Sequence, residues 1–116
     1  MALEWPNLSG VDFSGAKLSH ARLHASDLKN SVLAEVNLSG AHLVEAHLDG
    51  ANLWHADLSG ADLSRACLQD AGLEQANLRG ANLSTALGVR SQEFAKTERD
   101  ENTQPSADWH LPCDAR

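Results

Sequence analysis

Leucine recurs at every fifth position over residues 38–83. Two places before each of these leucines, the first excepted, stands an alanine, from Ala41 to Ala81. The core repeat comprises Leu38, Leu43, Leu48, Leu53, Leu58, Leu63, Leu68, Leu73, Leu78 and Leu83. This period of five constrains the fold more than any other feature of the chain.

Neither common secondary structure accommodates that period. On an α-helix, a step of five residues advances by about 500°, so successive leucines lie about 140° apart and form no common face. On a straight strand, an odd step places successive leucines on opposite sides. Alanine and leucine both point inward only if each pentad runs extended through Ala-x-Leu and then turns within two residues.

The residues at the expected turns are of the right types. Six of the eight glycines lie two places after a leucine or phenylalanine, where a tight turn is needed. Such pentads cannot bury their apolar face alone and must stack on their neighbours, with a backbone spacing of about 4.8 Å. The pattern therefore predicts a solenoid.

The repeated units resemble the pentapeptide-repeat family, whose motif is A-(D/N)-L-x-x. The clearest copies are Ala51-Asn52-Leu53, Ala56-Asp57-Leu58, Ala61-Asp62-Leu63, Ala76-Asn77-Leu78 and Ala81-Asn82-Leu83. The resemblance implies an all-β solenoid, a right-handed quadrilateral β-helix with four pentads per coil. Sixteen pentads, centred on residues 8 to 83, would give about four coils and a rod roughly 19 Å long.

The solenoid is assigned to residues 1–88, with a capping helix and an irregular tail at 89–116. Trp5 and Pro6 are expected to cover the first coil. Ser91 is predicted to be the N-cap residue of a short helix. Val89 and Phe94 are expected to lie over the last coil. Buried Ser26 and Ser31, at alanine positions, must donate hydrogen bonds to the backbone.

Composition narrows the class of function. The formal net charge is −7, which argues against direct binding to a nucleic-acid backbone. We expect no signal sequence and no transmembrane segment. The two cysteines, Cys67 and Cys113, are expected to make no disulfide framework, which fits a reducing compartment. The sequence thus favours a cytoplasmic protein with no membrane association.

A twenty-residue coil would stack outward residues in columns. One column, Asp27, His47 and Cys67, holds metal-ligand types, but a straight column does not complete a tetrahedral set. Cys67 and His47 also lack a pocket for nucleophilic chemistry. The expected charge pairs across rungs are Glu45 with Arg65, Lys29 with Asp49, and Glu35 with His55. We expect no catalytic residue, no metal site and no cofactor.

Function is therefore expected on the outer faces. Trp54, beside His55, is the candidate partner-binding anchor, although the tail around Trp109 and Leu111 offers an alternative in which Trp54 is covered. The first hypothesis is a non-catalytic scaffold or protein-interaction module, monomeric or weakly dimeric. The alternative comes from the resemblance, because some members of the family it names are acidic mimics of duplex DNA. In that case the chain would bind a type II topoisomerase such as DNA gyrase.

Overall fold

The computed structural model describes residues 7–105 and 109–115 of the chain. Parallel backbone bridges join residues twenty apart, beginning with Asn7 to Asp27 and ending with Cys67 to Leu87. Four pentads therefore complete one coil, and the predicted columns of outward residues are confirmed. The predicted cover by Trp5 and Pro6 concerns residues outside the described part of the chain.

Each corner of the coil is a β-turn that begins at the leucine. The Ala61 N–H donates to the Leu58 carbonyl at 3.0 Å, and the same bond recurs from pentad to pentad. The Asp or Asn between alanine and leucine also closes the turn, as in Asp57, whose Oδ1 accepts the Ser59 N–H at 3.0 Å. This second bond explains the Asp/Asn preference in the motif, which the pattern of inward and outward positions did not reveal.

From Leu8 to Leu78, the turns place the second residue after each leucine or phenylalanine of the repeat in the left-handed region. Nine non-glycine residues have this conformation, with φ between 55° and 61°: His20, Ala25, Asn30, Glu35, Glu45, His55, Arg65, Asp70 and Gln75. This conformation costs a residue with a Cβ about 1–2 kcal/mol. The ladder of coils imposes it even where the sequence offers no glycine.

Gln75→Gly is accordingly expected to raise the free energy of unfolding by about 0.5–1 kcal/mol, since relief at φ 59° exceeds the entropy that glycine loses on folding. Gln75→Ala, which keeps the Cβ, should give no such gain. Chemical denaturation of the two variants would check this. Equal midpoints would show that the turn imposes no measurable strain at this position.

The interior holds one continuous apolar core. All ten leucines of the core repeat and the alanines from Ala41 to Ala81 are buried. The Ser26 and Ser31 hydroxyls donate to the carbonyls of Leu23 and Leu28, both at 2.7 Å, as predicted. A small apolar void near the first coil, lined by leucines and Phe13, measures about 10 Å³, which is at the limit for a single water molecule.

The tail continues the ladder in a less regular form. Its elements are helix α1 (Ser91–Phe94), strand β2 (Gln104–Pro105), which pairs in parallel with strand β1 (Asn82–Leu83), and a 3₁₀ helix (Cys113–Ala115). The register grows from twenty residues to 21 at Asn77–Glu98 and 22 at Asn82–Gln104. The short helix and the turn near Asp100 account for the added residues.

Phe94 and Val89 are buried on the last coil, as predicted. The predicted capping role of Ser91 is wrong, because Arg90 occupies the cap position and makes no side-chain capping bond. Glu93 instead accepts the Leu73 N–H at 3.1 Å, and that bond lowers the pKa of its carboxyl group. Side chains such as Glu93 thus satisfy donors that another full coil would otherwise meet.

Candidate functional site

The closed interior confines any recognition chemistry to the outer faces. Among the described residues, the buried polar side chains are Ser26, Ser31 and Thr103. The hydroxyls of Ser26 and Ser31 are bound to turn carbonyls, and the Thr103 hydroxyl donates to the Leu78 carbonyl at 2.8 Å. These three groups are engaged in structure, which leaves the outward positions of each pentad as candidates.

Trp54 is the most exposed large apolar side chain among the described residues, with 41% of its surface accessible. Its indole ring lies edge-on to the imidazole of His55, with ring centroids 3.9 Å apart and an interplanar angle of 66°. The backbone beneath it is fixed, since the Trp54 N–H donates to Asn52 Oδ1 at 3.0 Å and the Trp54 carbonyl accepts the Glu35 N–H at 2.8 Å. Trp54 is thus an exposed aromatic group on a rigid support.

The expected alternative, cover by the tail, is not what the structure has. Trp109 packs on Phe94, with centroids 5.0 Å apart, and its carbonyl accepts the Val89 N–H at 2.8 Å. Leu111 binds through its carbonyl to the Gly88 N–H and is itself 37% exposed. Neither residue covers Trp54.

The face that carries Trp54 has one sign of formal charge. We call it the Trp54 face and define it as the outward residues of the pentads centred on Phe13, Leu33, Leu53 and Leu73. Within residues 7–88 it bears exposed carboxylates at Asp12, Glu35 and Glu74 and no lysine or arginine. A hydrogen bond from the Ser14 hydroxyl and one from the Ser14 N–H hold the pKa of Asp12 below its ordinary value. On these four rungs the formal charge around Trp54 is therefore negative.

Only one of the three predicted charge pairs forms. Arg65 Nη1 lies 3.8 Å from Glu45 Oε1, and both side chains are well exposed, so the pair contributes at most about 1 kcal/mol. Asp49 does not pair with Lys29. It lies 3.9 Å from His47 instead. No ion pair joins Glu35 and His55 among the described residues. The two pairs that fail were predicted from column spacing alone, which ignores the orientation of the side chains.

The two cysteines are bonded to each other, which corrects the prediction that they make no disulfide. Cys67 and Cys113 are 46 residues apart in sequence, and their Cα atoms are 5.5 Å apart. The bond ties the 3₁₀ helix of the tail to the column of Asp27, His47 and Cys67. It also removes the cysteine argument for a reducing compartment and excludes Cys67, in this state, as a thiol nucleophile.

No helix in the described part of the chain has the length and apolar character to cross a bilayer.

The fold and its outer faces define a class, the four-sided β-solenoids with a packed interior. The family of pentapeptide repeats matches residues 3–33, 26–65 and 66–88, with eight copies of the repeat. The chain belongs to this family, and its coil is the right-handed quadrilateral β-helix that the resemblance implied. Proteins of the family are generally structural or interaction modules.

Solved structures agree with this assignment. Rfr23, a pentapeptide repeat protein from the cyanobacterium Cyanothece 51142, is 31% identical over 90% of this chain and 87% of its own, with a TM-score of 0.68. A pentapeptide repeat protein from the Arabidopsis thaliana thylakoid lumen is 37% identical over 82% of this chain and 59% of its own, with a TM-score of 0.55. A search of curated proteins finds no significant match.

Proposed function

We propose that this chain is a non-catalytic protein-interaction module whose partner binds the Trp54 face. The observation that carries the proposal is an exposed indole, stacked edge-on to His55, on a backbone held by the ladder. Trp is among the residues most enriched at binding hot spots, and a rigid support lowers the entropy that binding costs.

The acids on either side of Trp54 specify the chemistry of that partner. Glu35 lies on the rung below Trp54, and its N–H donates to the Trp54 carbonyl. Glu74 lies on the rung above, and its carbonyl accepts the His55 N–H at 3.0 Å. Both carboxylates are exposed at the surface. The complementary surface is an apolar pocket that receives the indole, flanked by lysine or arginine.

Trp54→Ala should weaken binding to the partner by about 2 kcal/mol or more, roughly a 30-fold rise in Kd. The partner would be captured from the source organism on immobilised protein, purified, and titrated against each variant by calorimetry. Leu111→Ala is the matched control, because Leu111 is 37% exposed and lies in the tail. Equal affinities for Trp54→Ala and the wild type would contradict the role of Trp54.

The salt dependence of the same titration tests the role of charge. Affinity for a basic partner should fall as ionic strength rises, because exposed charges are screened beyond about 8–10 Å. An affinity independent of salt would remove the acidic residues from the proposal and leave Trp54 alone.

The alternative, a mimic of duplex DNA, has weaker support. Residues 1–88 carry ten acidic and five basic residues, a net charge of −5. Duplex DNA carries about one negative charge per 1.7 Å, which is about eleven charges over the roughly 19 Å of the rod. Positive residues also interrupt the acidic columns, since Arg22 shares a column with Asp62 and Lys17 with Asp57. A gyrase supercoiling assay separates the two functions: inhibition at micromolar protein would favour the mimic.

A further inference from the structure

The disulfide lies within a cluster of metal-ligand side chains. Single ligand atoms of Asp49, Cys67 and Cys113 are all within 4.8 Å of one another. The His47 imidazole lies beside this group, with its Nδ1 3.9 Å from Asp49 Oδ1. Two sulfurs and one carboxylate oxygen therefore occupy one small region beneath the tail.

An independent observation points to a ligand in this cluster. Asp49 Oδ1 is buried and accepts no hydrogen bond from the described residues. A buried acceptor without a donor costs about 1–3 kcal/mol, and such atoms commonly mark a bound water or ion. The His47 Nδ1, at 3.9 Å, is beyond hydrogen-bonding distance. A cation would satisfy this oxygen directly.

The tail supplies what a straight column lacks. Asp27, His47 and Cys67 lie one above another, and such a column does not surround a metal. Cys113 approaches from outside the coil, and Asp49 follows His47 by two residues. The three donors thus come from three separate segments and do not lie in one straight column. Cys67 is inaccessible to solvent, whereas the Asp49 side chain is 33% exposed, so a water molecule can reach the site.

The geometry points to a zinc site formed by Cys67, Cys113 and Asp49 when the disulfide is reduced, with a water molecule as the fourth ligand. A dithiol reductant breaks the S–S bond with two electrons and two protons, giving two thiols and the disulfide of the reductant. Zn²⁺ then displaces both thiol protons to solvent. Sulfur, nitrogen and carboxylate oxygen are the donors that zinc prefers. The tail is tied to the coil by a covalent bond in one state and by the metal in the other.

Zinc titration of the reduced and oxidised full chain, without a metal-binding tag, tests this site. The reductant is a phosphine, thiol content is verified at two per chain, and a colorimetric chelator competes for ZnCl₂. We expect one zinc per reduced chain, bound about 100-fold more tightly than by the oxidised chain. Co²⁺ in its place should give thiolate charge-transfer absorption. Equal zinc binding in both states would overturn the proposal.

Two aspartate variants separate a metal site from a pair of reactive thiols. Asp49→Asn should weaken zinc binding by about tenfold or more, because it removes a charged ligand. Asp57→Asn is the matched control, since asparagine already occupies the same column at Asn37 and Asn77. Unfolding of the oxidised variants verifies that both fold. Equal zinc affinities for the two variants would overturn the assignment of Asp49.

Discussion

Leu58→Ala is expected to lower the free energy of unfolding by about 2–5 kcal/mol, the largest effect of any single substitution considered for this chain. Leu58 is fully buried, and the narrow coil gives its neighbours little freedom to collapse into the space that it leaves. Since a small domain is stable by only about 5–15 kcal/mol, the variant should lose a large part of its stability.

Urea denaturation followed by circular dichroism would measure this change. Leu111→Ala serves as the control, because the Leu111 side chain is 37% exposed and its contact to the coil is made by the backbone. That variant should change the free energy of unfolding by about 0.5 kcal/mol or less. Similar losses for the two variants would mean that the leucine columns are not the principal source of stability.

Cys113→Ser is expected to have the second largest effect, because it opens the loop of 46 residues that the disulfide closes. The chain-entropy relation gives about 4 kcal/mol for a loop of this length at 25 °C. Since the stability of a solenoid is the sum of local terms, the loss should concentrate in the last coil and the tail.

Hydrogen exchange in the presence of a chelator would locate the change. In Cys113→Ser, the Gly88 and Val89 amides, which donate to the carbonyls of Leu111 and Trp109, should exchange faster, whereas the Leu23 and Leu43 amides, which donate to the carbonyls of His42 and Asp62, should not change. Chemically reduced wild type should behave in the same way. Unchanged protection of Gly88 and Val89 would show that the backbone bonds alone hold the tail.

The repeat could be predicted from sequence because sixteen consecutive pentads share the same pattern of inward residues and turn positions. Two inward residues and one turn define the coil, and the columns follow from the twenty-residue period. The interior serines were equally predictable, since a buried hydroxyl needs an acceptor and the turn carbonyl is the nearest one. The position of Trp54 on an outer face followed from the same period.

The tail could not be predicted to the same degree, because its contacts are made once and not repeated. The bond between Cys67 and Cys113 joins residues far apart in sequence, and only the return of the tail over the column brings them together. The position of Asp49 beside His47, and not beside Lys29, depends on side-chain rotamers that column spacing does not fix. One signal was present in the sequence: Cys67 occupies an outward position at which the two preceding members of its column, Asp27 and His47, are polar.

The central claim is that the Trp54 face binds a basic protein partner, and site-specific photocrosslinking in the source organism tests it most directly. A photoreactive residue would replace Glu74, on the rung above Trp54, or Ser84, which is exposed on the opposite side of the coil. The account predicts a discrete adduct from position 74 that disappears in combination with Trp54→Ala, and none from position 84. Equal adducts from both positions, or an adduct at 74 that survives Trp54→Ala, would contradict it.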